Sequence, residues 1–275
     1  MKLVRFLYGH KVNFGILERD VIRSIFGTPF EARLPKGNSG QDPKFTGEEY
    51  PIEEVKLLAP VEPSKVVAVG LNYVDHAKEL NMPLPDEPIL FLKPSTSVIG
   101  PDENIIYPRM SKRMDYEAEL AVVIGGKVRY LSPEEAPEHI LGFCCSNDVT
   151  ARDLQSKDVQ WTRAKSFDTF TPIGPWIETE IDPSDLRIEL LLNGEVRQSS
   201  STSRMIFDVN HLVSFISQVM TLLPGDVIMT GTPPGVGSMQ VGDVVEVRIE
   251  GIGVLRNKVT ARPSVRHQIS LSLAQ

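Results

Sequence analysis

The stretch Met114-Asp-Tyr-Glu-Ala-Glu-Leu-Ala-Val-Val-Ile-Gly125 decides how this chain is read. Its second half, Leu120 to Ile124, is an uninterrupted apolar run of strand length, the mark of a buried strand. Strand side chains alternate between faces, so Glu117 and Glu119, two residues apart, point the same way. Two carboxylates on one face beside a buried strand repel each other, and a divalent cation between them is the simplest remedy. Taken alone, the pair also fits two solvated carboxylates at the exposed start of a strand.

Strands predominate on either side. Lys2–Tyr8, Asn13–Glu18 and Val21–Phe26 read as short strands, and the Pro-, Gly-, Lys- and Asp-rich residues 34–51 as loop. Pro60 and Pro63 flank a join, so residues 1–58 form a small β-rich N-terminal domain and residues 59–275 a larger one. The larger part opens with Lys65-Val-Val-Ala-Val-Gly70, a buried strand, and runs into a short helix from Asn72 to about Leu80. Asn72 suits the N-cap there and Asp75 the third helical position. Further strands fall at 89–93, 119–124, 186–192, 227–230 and 243–250, and Asn193-Gly194 marks a hairpin. Asp208 to Leu222 is an amphipathic helix with an acidic cap that stops before Pro224-Gly225. Scattered helices of this kind do not give the alternation of a doubly wound sheet, so the fold class is mixed and mostly β.

A chain of 275 residues, 41% hydrophobic and 24% charged, can bury a sizeable core and has an ordinary globular composition. The net charge of −7 and the lack of a long basic run argue against nucleic acid or an anionic membrane as partner. An anionic substrate would then need locally placed cations. Charge interrupts the first residues before a signal-peptide core forms, and no apolar stretch is long enough to span a bilayer. The adjacent pair Cys144-Cys145 disfavours a bridge and fits a reducing cytoplasm. Its apolar setting packs the thiols rather than activating them.

Four further constellations carry candidate chemistry. On a helix, His76 and Glu79 share a face at i, i+3, where the carboxylate fixes the imidazole tautomer and makes a general base; the same pair also fits a surface ion pair. Asp148 lies at the end of a strand-like run, with Arg152 and Gln155 four and seven residues on, placed to share its face on a following helix. A carboxylate, a guanidinium and an amide together suit an oxygen-rich anion. Lys165, in Ala-Lys-Ser-Phe-Asp, sits in apolar company and needs an anionic partner unless it snorkels. The stiff loop Thr230-Gly-Thr232-Pro-Pro-Gly-Val-Gly237 offers backbone N–H groups and two hydroxyls for a carboxylate. Glu117, Glu119 and Asp148 supply only oxygen, which suits Mg²⁺, or Mn²⁺ or Ca²⁺, and not structural zinc. No glycine fingerprint follows a strand and opens a helix, which sets a nicotinamide enzyme aside.

Six motifs in this order resemble the fumarylacetoacetate hydrolase family over roughly residues 60–262. They are Asn72-Tyr73-x-x-His76-x-x-Glu79, Phe91-x-Lys93-Pro94, Asp115-Tyr116-Glu117-x-Glu119, Asn147-Asp148-Val-Thr-Ala-Arg152-Asp, Ala164-Lys165-Ser-Phe-Asp and Thr230-Gly231-Thr232-Pro233-x-Gly235-Val236-Gly237. The resemblance implies a β-roll catalytic domain, a homodimer, and Mg²⁺ or Mn²⁺ held by Glu117, Glu119 and Asp148. It implies that His76–Glu79 sits on a short helix over the site, with His76, Glu79 and Lys165 catalytic. Arg152, Gln155 and either Thr230 or Thr232 would contact the substrate. The opening segment is shorter than that of the tyrosine-pathway hydrolase and longer than that of the shortest acylpyruvate hydrolases. The expected reaction is metal-dependent hydrolysis of a carbon–carbon bond in an acylpyruvate-type 2,4-dioxo acid through an enolate. Isomerisation of the 2-hydroxyhepta-2,4-diene-1,7-dioate type and oxaloacetate decarboxylation are alternatives on the same scaffold. A non-catalytic binding protein that keeps the fold is the rival of another class.

Overall fold

The computed structural model describes residues 1–31 and 43–262. Its centre is Ala118–Ile124, buried along its whole length between Ile140–Asn147 and Val227–Met229. A strand covered on both faces can be apolar throughout, and alternation divides its side chains. Leu120, Val122 and Ile124 enter one hydrophobic cluster, while Ala121 and Val123 enter another on the opposite face. The cysteines obey the same rule: Cys145 joins the first cluster and Cys144 the second. Burial pushes the Cys144 thiol up to about 12, so both act as packing residues.

The main sheet runs in the order Phe45–Pro51, Val21–Ile25, Lys11–Glu18, Lys2–Tyr8, Thr171–Glu178, Ile140–Asn147, Ala118–Ile124, Val227–Met229, Val66–Val69, Leu90–Lys93. Its neighbours are antiparallel except Val227–Met229 with Val66–Val69. A second sheet orders Glu195–Ser201, Arg187–Leu192, Val244–Ile249, Gly253–Ala261 and Asn104–Tyr107, and a small one joins Thr150–Ala151, Met114–Tyr116 and Gly237–Met239. Four α-helices lie among the described residues: α1 Val74–Glu79, α2 Arg152–Lys157, α3 Thr162–Lys165 and α4 Val209–Val219. None is long and apolar enough to cross a membrane. The class is the mixed, mostly β roll expected.

The four N-terminal strands have a small core of their own around Val4, Phe6, Leu17 and Ile22, and they extend the main sheet through Lys2↔Glu178 and Leu3↔Ile177. The loop expected over 34–51 needs correction. Residues 32–42 lie outside the described residues, but Phe45–Pro51 is an edge strand paired with Val21–Ile25. Pro and Gly misled the reading because an edge tolerates them. The ladder shifts register between Arg23 and Ile25, and the Arg23 guanidinium stacks on Phe45.

The hairpin and the long helix form where local chemistry puts them. Asn193 and Gly194 both adopt positive φ, 54° and 83°, as a tight hairpin turn requires. The Asp208 carboxylate caps α4 by accepting the His211 N–H. Helix α1 starts later than expected, and Asn72 does not cap it. The Asn72 side chain instead accepts from Phe207 N and donates to the carbonyls of Thr230 and Phe207, tying the approach to α1 to the Thr230 loop. Asp75 pairs with Arg204.

Candidate active site and metal centre

The ladder between Ala118–Ile124 and Ile140–Asn147 builds the centre. Its register pairs Ala118 with Asn147 and Glu119 with Ser146, so Asp148 falls opposite Glu117. Glu117 sits at the break between Met114–Tyr116 and Ala118–Ile124, just ahead of a strand that begins one residue before the expected 119–124. The break is held from across the ladder: Glu117 N–H donates to Asn147 Oδ1 at 2.9 Å, and Asp148 N–H donates to the Glu117 carbonyl at 2.9 Å. One carboxylate oxygen from each of Glu117, Glu119 and Asp148 lies within 4.8 Å of the others, and all three residues are buried.

Cations from other elements meet these acids. Lys165, at the end of α3, donates to Glu117 Oε2 at 2.9 Å and Asp148 Oδ2 at 2.5 Å. Lys93, fully buried at the end of its strand, donates to Asp148 Oδ1. Asp148 thus lies between two ammonium groups. Arg152 opens α2 and donates to Glu117 Oε1, to Asp115 Oδ2 at 2.9 Å and to Gln155 Oε1 at 2.6 Å. Arg152 and Gln155 therefore pair as expected, but Asp148 precedes the helix and does not share their face. The guanidinium reaches the centre through Glu117.

These contacts separate the two glutamates. Burial works to raise the Glu117 carboxyl, but Lys165 and Arg152 outweigh it and hold it at about 2. Burial, reinforced by the charges of Asp148 and Glu117, drives the Glu119 carboxyl well above the usual carboxylate range; Lys165 and the Gly231 N–H offset only part of this. The Glu119 carboxylate has no ion pair among the described residues, where its one hydrogen bond is from the Gly231 N–H, at 2.8 Å. Burial pushes the Lys93 ammonium down in spite of Asp148, whereas at Lys165 the charges of Asp148 and Glu117 outweigh burial and raise it.

A divalent cation fits this arrangement. The donors are hard oxygens, and Glu119 is a buried carboxylate still lacking a positive partner. Two buried polar atoms nearby also lack a hydrogen-bond partner among the described residues: Asn147 Nδ2, on the residue that holds Glu117, and Tyr73 Oη, which lies in the field of Glu119. Glu117, Glu119 and Asp148 are the residues that could hold the ion.

The His76–Glu79 pair lies across the Thr230–Gly235 loop. His76 Nδ1 meets Glu79 Oε2 at 2.8 Å, which leaves Nε2 as the free ring nitrogen. Gly235 N–H donates to Glu79 Oε1 at 3.1 Å, while Gly231 N–H holds Glu119, so one short loop touches both the dyad and the acids. The two threonines part company here. Thr230 Oγ1 donates to the Leu120 carbonyl at 2.9 Å and is fully buried, whereas Thr232 Oγ1 accepts from Gln198 Nε2 at 2.9 Å.

Sequence reasoning gave no role to Lys93, Asn147, Asp115 or Gln198. Lys93 and Asn147 were visible only as letters in motifs, since a lysine closing an apolar strand and an asparagine before an aspartate have many uses. Gln198 carried no signal, because it is the one buried residue of an otherwise exposed or half-exposed strand.

The fold and centre define a mostly β enzyme built around buried carboxylates. The chain belongs to the fumarylacetoacetate hydrolase family: the profile described as "Fumarylacetoacetate (FAA) hydrolase C-terminal" matches residues 65–260. A profile described as "Rv2993c-like, N-terminal" matches residues 1–60. A protein of Archaeoglobus fulgidus is 63% identical over 78% of this chain and 85% of its own length. "Oxaloacetate tautomerase FAHD2A, mitochondrial" of Bos taurus is 47% identical over 76% of this chain and 71% of its own. The solved structure of 5-carboxymethyl-2-hydroxymuconate delta-isomerase from Mycobacterium smegmatis superposes with a TM-score of 0.87 at 45% identity, covering 95% of this chain and 100% of that one.

Proposed function

We propose that this chain moves a proton within a 2-oxo acid that carries a second carboxylate, interconverting keto and enol forms or shifting a double bond. Mg²⁺ or Mn²⁺ would be held by Glu117, Glu119 and Asp148. The observation that carries the reading is the union, through one loop, of a buried three-carboxylate centre with a His–Glu pair whose Nε2 is free. The similar oxaloacetate tautomerase and delta-isomerase support proton transfer as the outcome. The cation, when bound, would draw electron density from the substrate's carboxylate and keto oxygens and acidify the adjoining C–H.

The side chains do the rest. His76 accepts the carbon-bound proton at Nε2, with Glu79 steadying the protonated ring, and returns it to the other position. Lys165, buried and charged between Glu117 and Asp148, offers positive charge to an oxygen that gains density. Arg152 and Gln155 would contact the anionic end, with Thr232 as the hydroxyl available to donate.

Hydrolysis of an acylpyruvate-type acid stands second. The observation in its favour is that the Glu79 side chain is 41% exposed, so water can reach the dyad and give its proton to His76 instead. A panel assay separates the outcomes. With Mg²⁺, oxaloacetate should show faster decay of its enol ultraviolet absorbance without release of pyruvate. Pyruvate from oxaloacetate would indicate decarboxylation, and release of pyruvate and acetate from acetylpyruvate would indicate hydrolysis. No response to any such acid would overturn the enzymatic reading and favour a binding protein. In the active case, His76→Ala should cost about a hundredfold or more in kcat.

A further inference from the structure

One side chain without a role in the proposed reaction, Gln198, ties the strand that carries Glu119 to the Thr232–Pro233 loop. Gln198 lies on Glu195–Ser201, at the edge of the second sheet, and is the only fully buried residue of that strand. Its ladder with Arg187–Leu192 shifts register between Leu190 and Leu191, next to the Leu190↔Gln198 pair. Its carbonyl Oε1 accepts the Ala118 N–H at 2.9 Å, between Glu117 and Glu119. Its Nε2 donates both protons, to Thr232 Oγ1 at 2.9 Å and to the Pro233 carbonyl at 2.7 Å. An N–H on one side and a carbonyl on the other allow only this orientation of the amide.

The consequence falls on Thr232. Because its oxygen accepts from Gln198, its own proton is left to donate, whereas Thr230 spends its proton on Leu120. The loop is also seated against the same strand. Gly235 has φ +94°, and a Cβ there would stand 2.3 Å from the Arg197 carbonyl, next to Gln198. From that seat Gly231 reaches Glu119 and Gly235 reaches Glu79.

We infer that Gln198 is a positioning residue: it aims the Thr232 hydroxyl as a donor to a substrate oxygen and clamps residues 230–235 as a strut between Glu119 and Glu79. The donor role rests on the substrate class proposed above; the clamp does not.

Gln198→Met keeps the length and removes the amide. Oxalate binding to the Mn²⁺-loaded protein should weaken about three- to tenfold in Gln198→Met and in Thr232→Val, the range of one neutral hydrogen bond. The double variant should be no worse than the weaker single one, because one substitution removes the donor and the other only its aim. Thr232→Ser should bind as the wild type. Additive losses, or wild-type affinity in Gln198→Met, would overturn the donor role. In the metal-free protein, amide hydrogen exchange at residues 231–236 should quicken in Gln198→Met while α4 is unchanged; unchanged exchange in that segment would overturn the clamp. A wild-type protein indifferent to oxalate would sink the substrate class, and with it the donor role, while the exchange result still decides the clamp. Should Gln198→Met fail to fold, Gln198→Glu carries the same comparisons, since it keeps Oε1 for Ala118 and loses both donors.

Discussion

At the scale of single residues the contrast between Glu117 and Glu119 sets the chemistry. Both are buried, but Lys165 and Arg152 grip Glu117 while Glu119 has only a backbone N–H. A carboxyl whose proton affinity is raised by folding contributes stability below the ordinary carboxylate range and loses it as the pH climbs. In the metal-free protein the raised Glu119 carboxyl therefore weakens the fold at neutral pH. Glu119→Gln, which keeps the uncharged shape, is expected to melt about 2–4 °C above the metal-free wild type near pH 8. The gap should close towards about pH 4, where both side chains are neutral. A metal-free variant that melts below the wild type at the higher pH would contradict this. The three acids were legible in the sequence, two by their spacing and one by its place after a strand. Lys93 was not: it meets Asp148 across 55 residues of chain, and nothing local announces the meeting.

Among the elements, α1 shows how tertiary contacts make a helix that its own sequence cannot. Six residues are too few for a helix to stand in water. Asn72 anchors its approach, Asp75 pairs with Arg204, and Gly235 N–H holds Glu79 at its end. Arg204→Ala removes the exposed pair with Asp75 without touching the centre. It should raise KM about two- to fivefold while leaving the melting temperature within about 2 °C, as an exposed ion pair warrants. Unchanged steady-state kinetics would mean that the pair does not help seat the helix. The hairpin at Asn193-Gly194 and helix α4 could be read directly, because turn and cap chemistry there are local. The start of α1 was misplaced because Asn72 has the chemistry of a cap and spends it on Phe207 and Thr230 instead.

For the whole molecule, the sequence conveyed the mostly β roll because its buried strands are apolar runs bounded by turns. It did not convey that the N-terminal strands continue the main sheet, since the Lys2–Glu178 pairing spans the chain. At the other end of that sheet Leu90–Lys93 is an edge, and Leu80, Met82, Leu84, Ile89 and Leu92 near it are each exposed by 44–52%. The homodimer that the family resemblance implies would give such a surface a partner. Light scattering should then give twice the mass of one chain, with Leu92→Lys shifting the protein towards monomer; a wild-type monomer at micromolar concentration would rule the homodimer out. The proposed chemistry requires the three acids to act together on one ion. Calorimetric titration of chelator-stripped protein with Mn²⁺ tests that most directly. One ion per chain is expected, with affinity at least about tenfold weaker in Glu119→Gln and in Asp148→Asn. An absence of binding, or binding that neither substitution disturbs, would contradict it.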